Sequence, residues 1–369
     1  MSVAAMILSV VLALAAPAWG LDTAAAAGDW PQWRGPNRDA VSPERRLRRT
    51  FQPGSPPILW RIPVGGGFSS VSIWQGRLYT LWDEGDSELL VGLEAATGRE
   101  LWRHRLGASY SSSWGNGPRS TPAVDDGVVY AVSARGELHA VAAADGRPLW
   151  SHHLESEYGG TIPEYGYSSS PMVEGDKLFV EAGGKDNRAF LAFDKSTGEV
   201  VWTSQSDAAA YSSPLAITVD GVRQIVFYSA SGLFALAPAD GRPLWKHDWE
   251  SRCPATGIPT NVASPIFIPP DKVFISNGYG TETGSAVLRI VHRGDRFTTE
   301  TAWRSESMRN VLNSSVLLEG HIYGFDRGIL KAIDAATGEE RWKARGFERG
   351  SLIAADGQLI VLGERGKLA

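Results

Sequence analysis

A Gly followed four residues later by Trp recurs along this chain and constrains its fold more than any other feature. It stands in Thr97-Gly98-Arg99-Glu100-Leu101-Trp102, Asp145-Gly146-Arg147-Pro148-Leu149-Trp150 and Thr197-Gly198-Glu199-Val200-Val201-Trp202. Asp240-Gly241-Arg242-Pro243-Leu244-Trp245 and Thr337-Gly338-Glu339-Glu340-Arg341-Trp342 repeat it. Trp303 holds the same place in a degenerate copy whose turn is Arg293-Gly294-Asp295, and Trp60, in Pro57-Ile58-Leu59-Trp60, has the strand without a partner hairpin. Successive Trp residues lie 42, 48, 52, 43, 58 and 39 positions apart. A repeat of this length is one supersecondary unit that buries its apolar face only against its neighbours. The 369 residues therefore form one array rather than two or three separate domains.

Each period has the same internal grammar. A Ser-rich start with Pro opens a strand, as in Ser120-Thr121-Pro122, Ser169-Ser170-Pro171, Ser212-Ser213-Pro214 and Ser264-Pro265. After a Gly turn comes an alternating strand such as Val128-Val129-Tyr130-Ala131-Val132, then Leu138-His139-Ala140-Val141, then the Asp/Thr-Gly turn into the Trp strand. Period-2 alternation between Gly turns specifies antiparallel hairpins, and no long 3.6-residue pattern competes with it. The expected fold is all-β: a β-propeller of four-stranded antiparallel blades, seven of them visible. Trp60, Trp102, Trp150, Trp202, Trp245, Trp303 and Trp342 are expected to dock between blades, with the turn Gly at positive φ.

Blades 1 to 6 end at Trp102, Trp150, Trp202, Trp245, Trp303 and Trp342. A seventh begins at Gly350-Ser351-Leu352, runs through Gln358-Leu359-Ile360-Val361-Leu362 and stops before its outer strand. The Trp60 strand is expected to close it and remove an open edge. The alternative is a chain cut short at its C-terminus, with an eighth blade missing.

The repeat resembles the tryptophan-docking motif of pyrroloquinoline quinone (PQQ) propellers, Ala-x-Asp-x-x-x-Gly-x-x-x-Trp. Ala192, Asp194, Gly198 and Trp202 match it in full, as do Ala332, Asp334, Gly338 and Trp342. In two further copies Ala142 and Ala237 replace the Asp. The opening Asp29-Trp30-Pro31-Gln32-Trp33-Arg34-Gly35-Pro36-Asn37-Arg38 is similar to the start of many PQQ-like repeat proteins. The resemblance covers nearly all of the chain after its leader, and implies membership of a family that holds both quinoprotein dehydrogenases and noncatalytic, BamB-like assembly scaffolds, usually with eight blades.

Residues 1–20 read as a signal peptide, an apolar run ending in the small-x-small pattern Ala16-Pro17-Ala18, although no Lys or Arg precedes it. Residues 21–54 read as leader and linker, with the basic run Arg45-Arg46-Leu47-Arg48-Arg49 solvated in it, and 55–369 as the propeller. The expected location is the periplasm or the extracellular space. Cys253 is the only cysteine, so no intrachain disulfide, C-x-x-C-H haem site or lipid anchor is expected. A net charge of −5 provides no broad basic field for nucleic acid. The expected partners are envelope or secreted proteins, with a small anionic ligand as a further candidate.

If the strands run A to D outward from the channel, the regular Asp/Thr-Gly turns share one face with the A–B turns. The irregular B–C loops and D-to-A connections share the other. That face collects Arg119, Tyr165, Tyr167, Lys185, Tyr211, Asn261, Tyr279, Asn313 and Arg327 around a funnel. Together they offer cations, amides and aromatic faces to an anionic planar ligand. The repeated Ser-Pro starts are expected to be structural. His104, His152 and His247 each follow a repeat Trp by two residues, on different blades, so a shared metal is not expected.

Two functions follow. The first is a noncatalytic binding or assembly scaffold that needs no cofactor. The second, carried by the resemblance, is a PQQ-dependent dehydrogenase of alcohols or sugars. In that case Arg119, Lys185 and Arg327 would hold the quinone carboxylates, Ca²⁺ would accompany it, and Asp186 or Asp326 would act as general base. The adjacent-cysteine disulfide of such enzymes is absent, and no Glu-Asn-Asp Ca²⁺ set can be assigned.

Overall fold

The computed structural model describes residues 28–50 and 56–369; the signal peptide expected at 1–20 lies outside them. Strand β1 is Val41–Ser42. Six four-stranded sheets follow, each antiparallel and in sequence order. Blade 1 is β2 to β5 (Ser72–Trp74, Arg77–Glu84, Ser87–Glu94, Glu100–Ala108), and blade 2 is β6 to β9 (Ala123–Asp125, Val128–Val132, Glu137–Ala142, Pro148–His153). Blade 3 is β10 to β13 (Met172–Glu174, Lys177–Glu181, Phe190–Asp194, Val200–Ser204), and blade 4 is β14 to β17 (Leu215–Val219, Val222–Ser229, Gly232–Leu236, Pro243–Asp248). Blade 5 is β18 to β21 (Ile266–Ile268, Lys272–Asn277, Gly284–Arg293, Arg296–Ser305), and blade 6 is β22 to β25 (Val316–Leu318, His321–Asp326, Ile329–Asp334, Glu340–Ala344). Among the described residues the only helix is the single turn α1, Leu154–Tyr158. No helix there is long and apolar enough to cross a membrane.

The repeat motif is explained by one local device. In blade 3 Ala192 pairs across the ladder with Trp202, and the register slips by one residue immediately after it. Ala140 with Trp150, Ala235 with Trp245 and Ala332 with Trp342 do the same. The small residue leaves room for the indole, and the bulge turns it toward the neighbouring blade. There the indole of Trp150 covers Gly198, where a Cβ would lie 2.7 Å from the ring. Its Nε1 donates to Lys195 O at 3.2 Å. Trp60, Trp102, Trp202 and Trp303 dock in the same way over Gly98, Gly146, Gly241 and Gly338. The motif Asp folds the turn: Asp194 Oδ1 accepts the N–H groups of Ser196 and Thr197, both at 2.9 Å.

The Ser-Pro starts knit the inner strands together. Ser70 N–H donates to Thr121 Oγ1, Thr121 N–H to Ser170 Oγ, Ser170 N–H to Ser213 Oγ and Ser264 N–H to Ser314 Oγ, all at 2.9–3.2 Å. Each hydroxyl satisfies a backbone donor of the preceding blade that would otherwise be buried without a partner.

Residues 29–40, expected as linker, are instead interior. They run along the central channel and touch the inner strands of six blades. Asp29 Oδ1 accepts Gln75 N–H at 2.9 Å, Trp30 bridges Ile73, and Pro31 O accepts Val124 N–H at 2.7 Å. Arg38 donates to Ser170 O and Pro171 O, Trp33 Nε1 to Ser264 Oγ, and Arg34 to Ser315 O at 2.6 Å. Ala40 O accepts Ala354 N–H at 2.9 Å. Burial pushes the guanidinium pKa values down, to about 10 for Arg34 and about 9 for Arg38, yet both stay cationic at neutral pH, solvated by carbonyl oxygens.

The seventh sheet has three strands, in the order β1, β26 (Ser351–Ala355), β27 (Gln358–Leu362), with β1 parallel to β26. The N-terminal strand that joins its ladder is thus Val41–Ser42, on the channel side. The Trp60 segment contributes its docked indole at the outer side of blade 1. Two expected docking positions differ from the rest. Trp245 is packed between blades 4 and 5, but its Nε1 bonds Gln224 Oε1 of its own blade at 2.7 Å. The facing turn, at Gly294, lies at the far end of a hairpin of two ten-residue strands, with open space around it. Trp342 has no turn to cover and is 42% exposed.

Candidate functional site

The D-to-A connections and one B–C loop enclose a cavity of about 490 Å³ over the channel. Its wall is aromatic and aliphatic. The 109–122 connection supplies Trp114 and Arg119, the 159–171 connection Tyr165, and the 205–214 connection Tyr211. The 249–265 connection adds Ile258, Pro259 and Val262, and Phe68, Leu312 and Tyr279 complete the rim. Trp33 enters from the channel segment, and Ser170, Ser213, Ser264 and Ser314 also line the cavity. Trp114 stacks edge-on against Tyr165 at 6.0 Å, and Tyr165 lies 5.8 Å from Tyr211. Trp114, Phe68 and Leu312 are each more than half exposed, an unusual cost in apolar surface unless something covers it.

Arg119 is the single charged side chain in that lining. Its guanidinium is committed to structure: it donates to Ser112 Oγ at 2.9 Å, to Gly115 O at 2.7 Å and to Gly117 O. It also lies over the Phe68 and Tyr110 rings at 5.3 and 5.2 Å. Burial holds its pKa below the usual arginine value. Among the described residues the buried Tyr211 and Tyr279 hydroxyls have no hydrogen-bond partner, and burial raises both phenol pKa values. No Asp or Glu lines the cavity.

Of the residues expected around the funnel, Arg119, Tyr165, Tyr211 and Tyr279 come together in it. Arg327 lies beside it, in a hollow of about 340 Å³ that also holds Tyr279, Val311 and Arg349. Tyr167 is interior, donating to Ala182 O at 2.8 Å. Asn261 is fully buried and bonds Ser229 O at 2.8 Å, Trp249 O at 3.1 Å and Asn277. Asn313 ties blade 6 to Gly350 O. Lys185 and Asp186 are exposed in the β11–β12 turn, outside the cavity wall. Asp326 is buried between Arg309 at 2.8 Å and Lys331 at 2.6 Å. Burial pushes its pKa up, but the two cations outweigh this and hold it below the ordinary carboxylate value; such a group is a poor general base.

The three histidines lie in separate environments. His104 Nε2 meets His139 Nδ1 at 3.0 Å, His152 bonds Gly198 O, and His247 bonds Thr299. Among the described residues no group of three or more His, Cys, Asp or Glu is placed to hold a metal. Sequence reasoning missed Trp33, Phe68 and Leu312, which stand outside the repeat frame. Clustered aromatics in the longest connections were the only available signal.

Comparison with known proteins places this architecture. Among curated proteins none is similar in sequence. BamB from Moraxella catarrhalis is similar in fold, with a TM-score of 0.55 and 18% identity over 82% of this chain and 80% of that one. A europium-containing methanol dehydrogenase is equally similar, with a TM-score of 0.54 and 12% identity over 91% and 89%. At such identities the likeness is one of fold. The sequence model described as outer membrane protein assembly factor BamB matches residues 46–159 and 85–344. The chain is a PQQ-like repeat β-propeller and belongs to that family.

Proposed function

We propose that this protein is an exported, noncatalytic binding module that captures an apolar or aromatic segment of an envelope or secreted protein in its funnel. The observation that carries this reading is the chemistry of the cavity wall: six aromatic rings, several aliphatic side chains and serine hydroxyls around one arginine that is already engaged. Such a wall suits recognition by burial and stacking. The apolar first 18 residues support export.

PQQ with Ca²⁺ fits this donor set poorly. The Arg119 guanidinium is already engaged by Ser112, Gly115 and Gly117, and Ca²⁺ takes about six to eight oxygen ligands, carboxylates prominent among them. The wall supplies no carboxylate.

The test is a titration with extended peptides carrying aromatic residues, read by calorimetry and thermal shift. Saturable binding is expected, weakened roughly tenfold by Trp114→Ala or Tyr165→Ala, in keeping with loss of an aromatic anchor. PQQ with Ca²⁺ is expected to leave the melting temperature unchanged. Stabilisation by PQQ with alcohol-dependent dye reduction would overturn the proposal.

A further inference from the structure

Beside the funnel, the hollow bounded by Gly278, Tyr279, Gly280, Val311, Arg327 and Arg349 has a different character. It shares Tyr279 and Gly280 with the aromatic cavity, so one ligand can reach both. Two guanidiniums from different blades border it: Arg327 from the β23–β24 turn and Arg349 from the connection into β26. Both are exposed.

Neither cation is neutralised by a neighbour. Among the described residues, Arg327 makes one long contact, Nε to Gly278 O at 3.3 Å, and neither arginine forms an ion pair. Two of the nearby carboxylates are ion-paired elsewhere, and a third bonds a backbone N–H. Asp326 is held by Arg309 and Lys331, Glu348 by Arg365 at 3.0 Å, and Glu364 accepts the backbone N–H of Arg349 at 3.2 Å. Tyr279 also lines the hollow, and its hydroxyl is the third polar group of these side chains. It is buried without a partner, and the Arg349 charge opposes the rise that burial imposes on it. Two uncommitted guanidiniums on one concavity, with an orphan phenol donor on a residue of the same wall, suit an anion, since both donor types are satisfied by carboxylate oxygens.

We propose that this hollow is a carboxylate subsite, and that the ligand of the funnel is a carboxylate borne next to an aromatic or large apolar group. Arg327 and Arg349 hold the carboxylate, Tyr279 donates to it, and the apolar group enters the cavity between Tyr165, Tyr211 and Trp33. The C-terminal residue of a polypeptide and a free aromatic acid share this chemistry. The proposal rests on the binding reading of the funnel, and its test separates the two.

Calorimetric titrations of the purified chain would use N-acetylphenylalanine, its amide, and a hexapeptide ending in Phe as the free acid or as the amide. Each acid is expected to bind at least tenfold more tightly than its amide, with an advantage that shrinks as salt rises. The double variant Arg327→Ala/Arg349→Ala, checked for native circular dichroism, is expected to bind acid and amide alike. Trp114→Ala should weaken both equally and leave their ratio intact. Equal binding of acid and amide by the native chain, or a preference that survives in the double variant, would overturn the subsite and leave the funnel reading standing. No binding of any of the four would sink both. A preference confined to the hexapeptide identifies a polypeptide C-terminus as the source, and one shared with N-acetylphenylalanine a small acid.

Discussion

Glu181 lies wholly inside the protein, where its carboxyl accepts Ser229 Oγ at 2.6 Å and Ala210 N–H at 3.2 Å. Burial pushes its pKa up from 4.5 to about 8, more than those two bonds can offset. A pKa raised in the folded state means stability that is full below the unfolded value and lost as pH rises through the folded one. The melting temperature is therefore expected to fall between about pH 5 and 8, and Glu181→Gln should flatten this limb in a pH series. His139 acts in the opposite sense. Burial beside His104 lowers its pKa to about 4, so stability falls as pH drops below the ordinary histidine value. His139→Gln should weaken that acid limb. At Gly198, φ is +77° and the Trp150 ring covers the site. Gly198→Ala is expected to cost about 1–3 kcal/mol from backbone strain alone, measured by urea denaturation, with more from the displaced indole.

The docked indole is the unit that joins one blade to the next, and its energetic weight depends on whether a turn lies beneath it. Trp202 is buried over Gly241, whereas Trp342 stands half in solvent. Trp202→Ala is expected to destabilise by about 3–5 kcal/mol, as large aromatic truncations in cores do. Trp342→Ala should cost under about 1 kcal/mol, as exposed positions do. Equal losses would contradict the docking account. These elements were legible because their signals are local. The alternating stretches Val128–Val132 and Gln358–Leu362 are strands β7 and β27, residue for residue. The frame alone does not show whether a Trp finds its turn. Gly294 occupies the expected place, but the long β20–β21 hairpin carries it away from Trp245, which turns to Gln224 instead.

For the whole molecule, the legible and illegible parts divide by distance along the chain. Blade order, the two faces and the aromatic connections follow from local pattern, and four of the funnel side chains were read from it. The channel segment was not, because Arg34 reaches Ser315, 281 positions away, and Arg38 reaches Pro171, 133 away. A sequence rich in Pro, Gly, Asn and Arg reads locally as a linker; only the ring of carbonyls closing around it makes it a core. Arg38→Ala, which strands the Ser170 and Pro171 carbonyls, is expected to cost roughly 3 kcal/mol, the worth of two charged hydrogen bonds. A single cooperative transition should persist in calorimetry, since the segment belongs to no one blade. Melting of blades in separate steps would contradict this.

The channel segment also sets an order of events in time. Residues 29–42 are made before every strand they touch, and Ala355, the partner of Ser42, is made more than 300 residues later. Translation at about 5–20 residues per second leaves that interval at tens of seconds, during which the future centre of the molecule is walled only in part. The ring must then assemble around a strand already in hand, so a stretch made ahead of all its walls is the one whose surroundings are finished last.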